Sequence, residues 1–544
     1  MKRVFSIILA LLFVFVLAAC GGGGNGDEVS SSSPTGSSPT GSSPTTTGGS
    51  GSTEPPSGDR EGDPRYGGTV RIIAPSEGAG PLGVPWELEA VDVYLVTPFL
   101  ECLVRQLPDG TMLPHLAASW DFDESDPEDV RLIFYLRDDV FFHDGSKFNA
   151  ETVKWNLDMS NEFGAPMASY SDIQIVDEYT VSMRIPSVTN STLSGFTGLM
   201  YSQISKEGWD NNGEEWSLEN PIGTGPFVMT EYVRGVHVKT VRNENYWNPN
   251  LPFFDALEYH LIGDVMTQNI ALQTDGPQGI DMLGTMSGDQ VSLFREMGYT
   301  ILLTSPISMT LMPSTDNPDS PFSDPRVSQA ISMAIDRDAI VHARGFGIWE
   351  SSYQYTVPTR LGYVATPGYG VPSYNPDGAR ALLAEAGYPD GFSTTLIGQP
   401  GAVDRDSIVA IQAQLELVGI QASIELPETG GYAALRGEGW EGILVQRVLN
   451  MTYMEQTAVL LFTQQNNYFA SMRFSDELDA RIAAAMGKLG NNSAELTAIQ
   501  DYLLEGGQII PLWLAYDATI LRPELRGWNE QFNTTYIPEM YFER

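Results

Sequence analysis

Two glycines and two prolines fall within the eight residues Asn220-Pro221-Ile222-Gly223-Thr224-Gly225-Pro226-Phe227. Proline fixes φ and removes a donor, while glycine lets another main chain come close. A phosphate-cradling loop is excluded here. The Lys-Ser/Thr pair is missing, and Pro226 lacks the N–H that such a loop needs. Two readings stay open: a rigid turn, or a re-entry point where the chain returns to a domain it left earlier and forms part of a cleft wall. A strand pattern follows, then Arg242-Asn243-Glu244-Asn245-Tyr246-Trp247-Asn248.

The 544 residues suffice for two or three domains. Apolar residues make up 42% and charged residues 18%, which suits a globular core. The formal net charge of −39 argues against nucleic acid as a partner, because phosphate binding needs basic patches. Acidity on this scale serves solubility and does not identify a cationic ligand. Cys20 and Cys102 form no C-x-x-C pair, and no two of His115, His143, His237, His260 and His342 stand at helical ligand spacing. No metal and no cofactor is therefore expected. There is no Gly-x-Ser-x-Gly elbow, no His-Glu-x-x-His and no Walker loop, so the chain reads as a non-enzyme.

At the amino terminus, Lys2-Arg3 precedes an apolar run from Val4 to Ala19, as in an export signal. The run is short for a membrane span, which needs about 20 apolar residues. It ends in Leu17-Ala18-Ala19-Cys20-Gly21, which resembles the bacterial lipobox. That resemblance implies a diacylglycerol-modified Cys20, cleavage just before it, and tethering at the outer face of the cytoplasmic membrane or in a periplasm. Residues 21–65 are Gly, Ser, Thr and Pro with few apolar side chains, and they include the repeat Ser32-Ser33-Pro34-Thr35-Gly36. Such a composition makes a flexible leash reaching about 35–40 Å.

Tyr66-Gly67-Gly68-Thr69-Val70-Arg71-Ile72-Ile73 reads as the first strand, and Val91 to Val104 as a helix. Val130, Leu132, Phe134 and Leu136 alternate as a strand. The acidic run Asp121 to Asp126 fails the EF-hand template and reads as a solvated hairpin turn. His143 beside Asp144 invites a catalytic reading, but neighbours on a strand face opposite ways. Asn149 caps a helix through Val153 and Leu157. Beyond about residue 306 helices alternate with strands. Asp324-Pro325 and Asn375-Pro376 each start a helix, a third carries Ile408, Ile411 and Leu415, and Ile420 to Leu426 reads as a strand. This alternation suggests a layered α/β domain.

Several segments, in order, resemble one family. They are Tyr66-Gly67-Gly68-Thr69, Pro114-His115-Leu116-Ala117-Ala118-Ser119-Trp120, Leu136 to Gly145, Ala150-Glu151-Thr152-Val153-Lys154, Ile222 to Phe227, Arg242 to Trp247, Asp324 to Ala330 with Ala334-Ile335-Asp336-Arg337, and Ala379 to Gly387. Together they resemble the bacterial extracellular solute-binding proteins of family 5, the oligopeptide-, dipeptide- and nickel-binding components of ABC importers. The resemblance implies a class II, two-lobed α/β clamshell with an extra domain inserted in the first lobe. Lobe one would take residues 66–101, 216–305 and 515–544, the inserted domain 102–215, and lobe two 306–514. The quoted motifs would be scaffold turns and caps. Implied partners are a peptide or other small-molecule ligand and ABC permease subunits, with the binding protein itself a monomer. The competing class is a surface receptor or sensor of the same fold not coupled to import, and a secreted hydrolase is the remaining alternative.

In the family's peptide binders, an aspartate just beyond a lobe-two strand pairs with the peptide α-ammonium. The matching stretch, Gly442 to Tyr453, contains no Asp or Glu and offers Gln446, Arg447 and Asn450 instead. These three, with Trp86, are the candidate ligand-contacting residues. An ammonium buried against Arg447 would be repelled, at a cost of about 3–5 kcal/mol. Guanidinium suits carboxylate or phosphate. The expected ligand is therefore neutral and polar, or anionic, or a peptide held in another register. Alternatively, Arg447 pairs with a protein carboxylate such as Glu441 or Glu455 and never meets ligand.

Overall fold

The computed structural model describes residues 65–544, apart from 75–79, 89–91, 108, 164–168, 304–305, 400–402, 449, 465–467, 529, 532–533, 536 and 544. Cys20 and the leash lie outside the described residues. Three sheets organise the chain. A seven-stranded sheet joins Thr69–Ala74, Phe227–Val233, His237–Arg242, Ala256–Leu261, Met282–Thr285, Thr300–Leu303 and Ala518–Leu521. A six-stranded sheet joins Ile307–Pro313, Trp349–Ser351, Phe392–Gly398, Ile420–Glu425, Ile443–Val448 and Ile510–Ala515. Between the first two strands of the seven-stranded sheet in chain order lies a four-stranded sheet, Ala117–Asp123, Arg131–Leu136, Ser171–Asp177 and Thr180–Arg184. This is a two-lobed class II architecture with an inserted domain.

Each sheet has its own core. Val70, Ile72, Leu257 and Tyr259 anchor the first, Leu311, Leu396, Ile420 and Val445 the second, and Leu132, Phe134, Val181 and Met183 the third. The capping signals act as the residues predict. Asn149 accepts from Thr152 N at 3.0 Å to open Ala150–Glu162, and Asp324 accepts from Arg326 N at 2.9 Å to open Pro325–Ala334. Asn375 caps Pro376–Glu385 through Gly378 N. Among the helices that the sequence did not announce are Val265–Gln273 and Gly288–Glu296; their Leu272 and Phe294 pack on Ile73, Leu283 and Ile520 of the first sheet. The helix expected over Val91 to Val104 is a correction. It is one turn, Val93–Val96, followed by a turn in which Phe99 N and Leu100 N both donate to Val96 O, and Pro98 has no N–H to continue the ladder.

The carbonyls of that turn meet the Gly-Pro segment. Gly225 N donates to Phe99 O at 3.2 Å, and Phe227 N donates to Pro98 O at 3.1 Å. A Cβ on Gly223 would sit 1.8 Å from Phe99 O, and one on Gly225 would sit 2.5 Å from Pro98 O. Glycine is required here for backbone approach, with no left-handed φ involved. After the turn the chain enters the edge strand of the seven-stranded sheet. Departure at 98–101 and return at 222–227 are thus bonded main chain to main chain.

Under this seam lies a buried carboxylate. Glu101 is 4% exposed and accepts from Thr224 Oγ1 at 2.8 Å, Tyr246 OH at 2.7 Å and Trp247 Nε1 at 3.2 Å. His115 Nε2 lies 3.1 Å away. Burial pushes this carboxyl up, but the His115 charge and the hydrogen bonds outweigh it and leave it below the ordinary carboxylate range. Asn243 Nδ2 donates to Gly225 O at 3.0 Å, and His143 Nε2 donates to the same carbonyl at 3.0 Å. Asp144 faces away and accepts from Ser205 Oγ at 2.7 Å, so the His-Asp neighbours share no hydrogen bond. The motifs around 101, 115, 143, 224 and 246 therefore meet in one knot that holds the scaffold.

The chain crosses between the two large sheets twice. One crossing links Thr300–Leu303 to Ile307–Pro313, the other Ile510–Ala515 to Ala518–Leu521. The crossings run side by side, since Leu303 pairs with Ala518 and Ile307 with Ala515.

Candidate functional site

Strand Ile443–Val448 lies inside the six-stranded sheet, antiparallel to Ile307–Pro313 and parallel to Phe392–Gly398. Its aliphatic, largely β-branched run suits a strand buried on both faces. Ile443 and Val445 enter one core, Leu444 and Val448 the other. The two-residue period then sends Gln446 and Arg447 to opposite faces at the end where the apolar run gives out.

Arg447 reaches back to the second crossing. Its Nη2 lies 3.2 Å from Asp517 Oδ1, and its Nη1 lies 2.8 Å from Met286 Sδ. The protein carboxylate is Asp517, in place of the expected Glu441 or Glu455. Glu441 is exposed, and Glu455 is turned inward at 2% exposure. Burial pushes the Asp517 carboxyl up, and the Arg447 charge only partly offsets this. Gln446 is also engaged, accepting from Tyr432 OH at 2.6 Å and donating to Arg447 O at 2.6 Å.

The segment after the strand is different. Asn450 is 6% exposed; its Nδ2 donates to Val448 O at 3.1 Å, which turns Oδ1 the other way. That Oδ1 is buried without a donor, and so are Thr452 Oγ1 and Gln456 Oε1. Three acceptor oxygens within seven residues thus lack donors, against the usual rule that buried polar atoms are satisfied. Buried Arg360 fixes the segment from behind, its Nε donating to Met451 O at 3.1 Å, and burial lowers its guanidinium below the usual range. In front, Tyr453 OH donates to Gly110 O at 3.2 Å, on the hairpin between Val104–Gln106 and Met112–Pro114 of the inserted domain.

Gln446, Arg447 and Asn450 therefore share one strand and its exit. Trp86 does not join them. It is 5% exposed, and its ring packs on Trp155 at 5.8 Å, Trp209 at 5.8 Å and Phe163 at 5.9 Å, in the core of the first lobe. Thr452 and Gln456 are polar residues that sequence reasoning passed over, although their spacing from Asn450 was readable. Asp517, by contrast, lies 70 positions from Arg447, and no local pattern joins the two. Among the described residues, no group of three or more His, Cys, Asp or Glu is arranged to hold a metal ion. Nor is any helix long and apolar enough to cross a membrane.

The profile described as bacterial extracellular solute-binding proteins, family 5 Middle, matches residues 111–469. Glutathione-binding protein GsiB of Escherichia coli O157:H7 is 29% identical over 312 residues. That alignment takes in 56% of this chain and 60% of the relative, so the chain spans about three fifths of the curated relatives it matches. Among solved structures, DppA from Helicobacter pylori in complex with peptide STSA superposes with a TM-score of 0.73 at 20% identity, over 88% of this chain and 99% of that one. AppA from Bacillus subtilis with a nonapeptide gives 0.71 at 18% identity, over 89% and 100%. NikA from Brucella suis with Fe(III)-EDTA gives 0.74 at 21% identity, over 87% and 98%. At these identities the structural likeness speaks for the fold.

Proposed function

Since the chain belongs to the bacterial extracellular solute-binding proteins of family 5, we propose that it captures a peptide-like solute between its lobes and delivers it, as a monomer, to the permease of an ABC importer. Ligand contacts bias the open–closed equilibrium, and the closed form docks. The observation that carries the ligand class is the row of donor-less acceptors at Asn450, Thr452 and Gln456. Main-chain N–H groups of a peptide supply what this row lacks, and each buried acceptor left unpaired costs about 1–3 kcal/mol. Arg447 is matched by Asp517 and Asn450 is neutral, so the segment favours uncharged amide groups over a free ammonium or a lone anion. The peptides in complex with DppA and AppA and the glutathione for which GsiB is named are amide-bearing ligands of the same kind.

Calorimetry with di- to pentapeptides, amino-terminally blocked peptides, sugars and organic acids tests this. Peptides are expected to bind, blocking the amine is expected to change Kd by less than about threefold, and Asn450→Ala is expected to weaken binding about tenfold. Binding of sugars or organic acids alone would overturn the ligand class. So would tight peptide binding that is lost on blocking and indifferent to Asn450→Ala.

The lipobox-like Leu17-Ala18-Ala19-Cys20 supports a second part of the same reading, export followed by lipid anchoring through Cys20. Cys20→Ala is expected to move the protein from the membrane fraction to the soluble fraction. Retention in membranes at the parent's level would count against the anchor.

A further inference from the structure

The inserted domain also touches the second lobe through Asn190. Asn190 Nδ2 donates to Lys488 O at 3.0 Å and to Gly490 O at 2.9 Å, and Gly490 N donates back to Asn190 Oδ1 at 2.7 Å. One carboxamide thereby grips the turn after helix Asp476–Gly487 with all three of these bonds. The side chain is aimed in advance by its own loop: Thr189 N donates to Thr192 Oγ1 at 2.8 Å, and Thr192 N donates to Thr189 O at 3.2 Å. Behind the turn, fully buried Asn492 donates to Ala485 O at 3.1 Å, and the Glu455 carboxyl faces both Asn190 and Asn492.

We propose that Asn190 is a positioning residue for lobe closure, clamping the 488–490 turn through protein atoms alone. Together with the Tyr453–Gly110 contact it forms a two-point strap between the inserted domain and the second lobe, beside segment 450–456. Every atom of the strap belongs to the protein, so it acts at any occupancy of the cleft. Closure then has a ligand-independent component, and a solute needs to supply only the remainder of the bias. Three hydrogen bonds to main-chain atoms displace such an equilibrium by about tenfold or more. Asparagine suits the task because it donates twice and accepts once. Aspartate keeps the size but loses both donors and sets a carboxylate against two carbonyls. This inference rests on the two-lobed fold and is independent of the ligand class.

Hydrogen–deuterium exchange on the full chain without added ligand is the test, comparing the parent with Asn190→Ala and Asn190→Asp. Both variants are expected to exchange about tenfold faster at 488–490 and also at 107–113 and 450–456. Helix Ala150–Glu162 is expected to keep the parent's protection, and the Tm to stay within a few degrees. A merely local role gives faster exchange at 488–490 alone, which overturns the proposal, as does no change in either variant. Loss of protection in Ala150–Glu162 in both variants overturns it too, because Asn190 would then be holding the inserted domain itself together.

Discussion

Gly223→Ala is expected to destabilise the protein by at least about 4 kcal/mol, a loss reserved for a few severe mechanisms. The mechanism here is collision of a Cβ with main chain. The new atom would sit 1.8 Å from Phe99 O and 2.8 Å from Phe99 C, and neither can swing away as a side-chain end does. Relief requires the departing and returning strands to part, which breaks the bonds from Gly225 N and Phe227 N. Gly284→Ala is the control. It lies in strand Met282–Thr285 with nothing within 4 Å of its ideal Cβ, so a change within about 0.5 kcal/mol is expected. Thermal or urea unfolding of the two variants beside the parent separates these outcomes. Similar stability for both would mean that the seam is looser than its backbone contacts show.

The second large effect is expected at Glu101. Removing its carboxylate in Glu101→Ala leaves Thr224, Tyr246 and Trp247 with donors and no acceptor beside a cavity, at a cost of about 3–5 kcal/mol. Glu101→Gln keeps the volume and one acceptor oxygen and is expected to cost less. The pH dependence follows from the lowered carboxyl. The native state prefers the ionised form more strongly than the unfolded chain does, so the stabilisation is complete above the unfolded value of 4.5 and is lost as pH falls through the lower native value. The stability gap between the parent and Glu101→Gln is therefore expected to narrow below that value. A gap that is constant from neutral pH to pH ~3 would contradict the pairing.

What could be read in the sequence was local chemistry with a single solution. Asn149, Asp324 and Asn375 announced helix starts because a short polar side chain before a helical run has one common use. The Gly-Pro turn announced a close approach, and its partner proved to be Pro98–Phe99. The order of motifs carried the fold. Illegible were features that depend on distant partners. Val91 to Val104 has helical composition, yet Pro98 and the use of the Pro98 and Phe99 carbonyls by Phe227 N and Gly225 N override it. Val265–Gln273 lacks a clear apolar stripe, with Met266 and Ile270 exposed and Leu272 buried, so its period gave little signal. At the site, the strand exit holding Gln446, Arg447 and Asn450 was found by position within a family pattern. Pairing of Arg447 with a protein carboxylate was one of two readings, but the carboxylate is Asp517 of the crossing segment and neither Glu441 nor Glu455. Trp86 was the fourth candidate, but two other tryptophans and Phe163 enclose it.

The paired crossings bear on how the lobes can travel. A single strand between two bodies is a swivel, free to twist as well as bend. Two strands held edge to edge by Leu303 against Ala518 and Ile307 against Ala515 make a ribbon. A ribbon flexes easily across its face and resists rotation about its length, because twisting would shear the bonds that join its edges. The lobes are thereby confined to nearly one path, along which the same surfaces meet on every stroke. Asn190 and the turn at Gly490, 300 residues apart in the chain, can rely on this mechanical alignment to find each other each time.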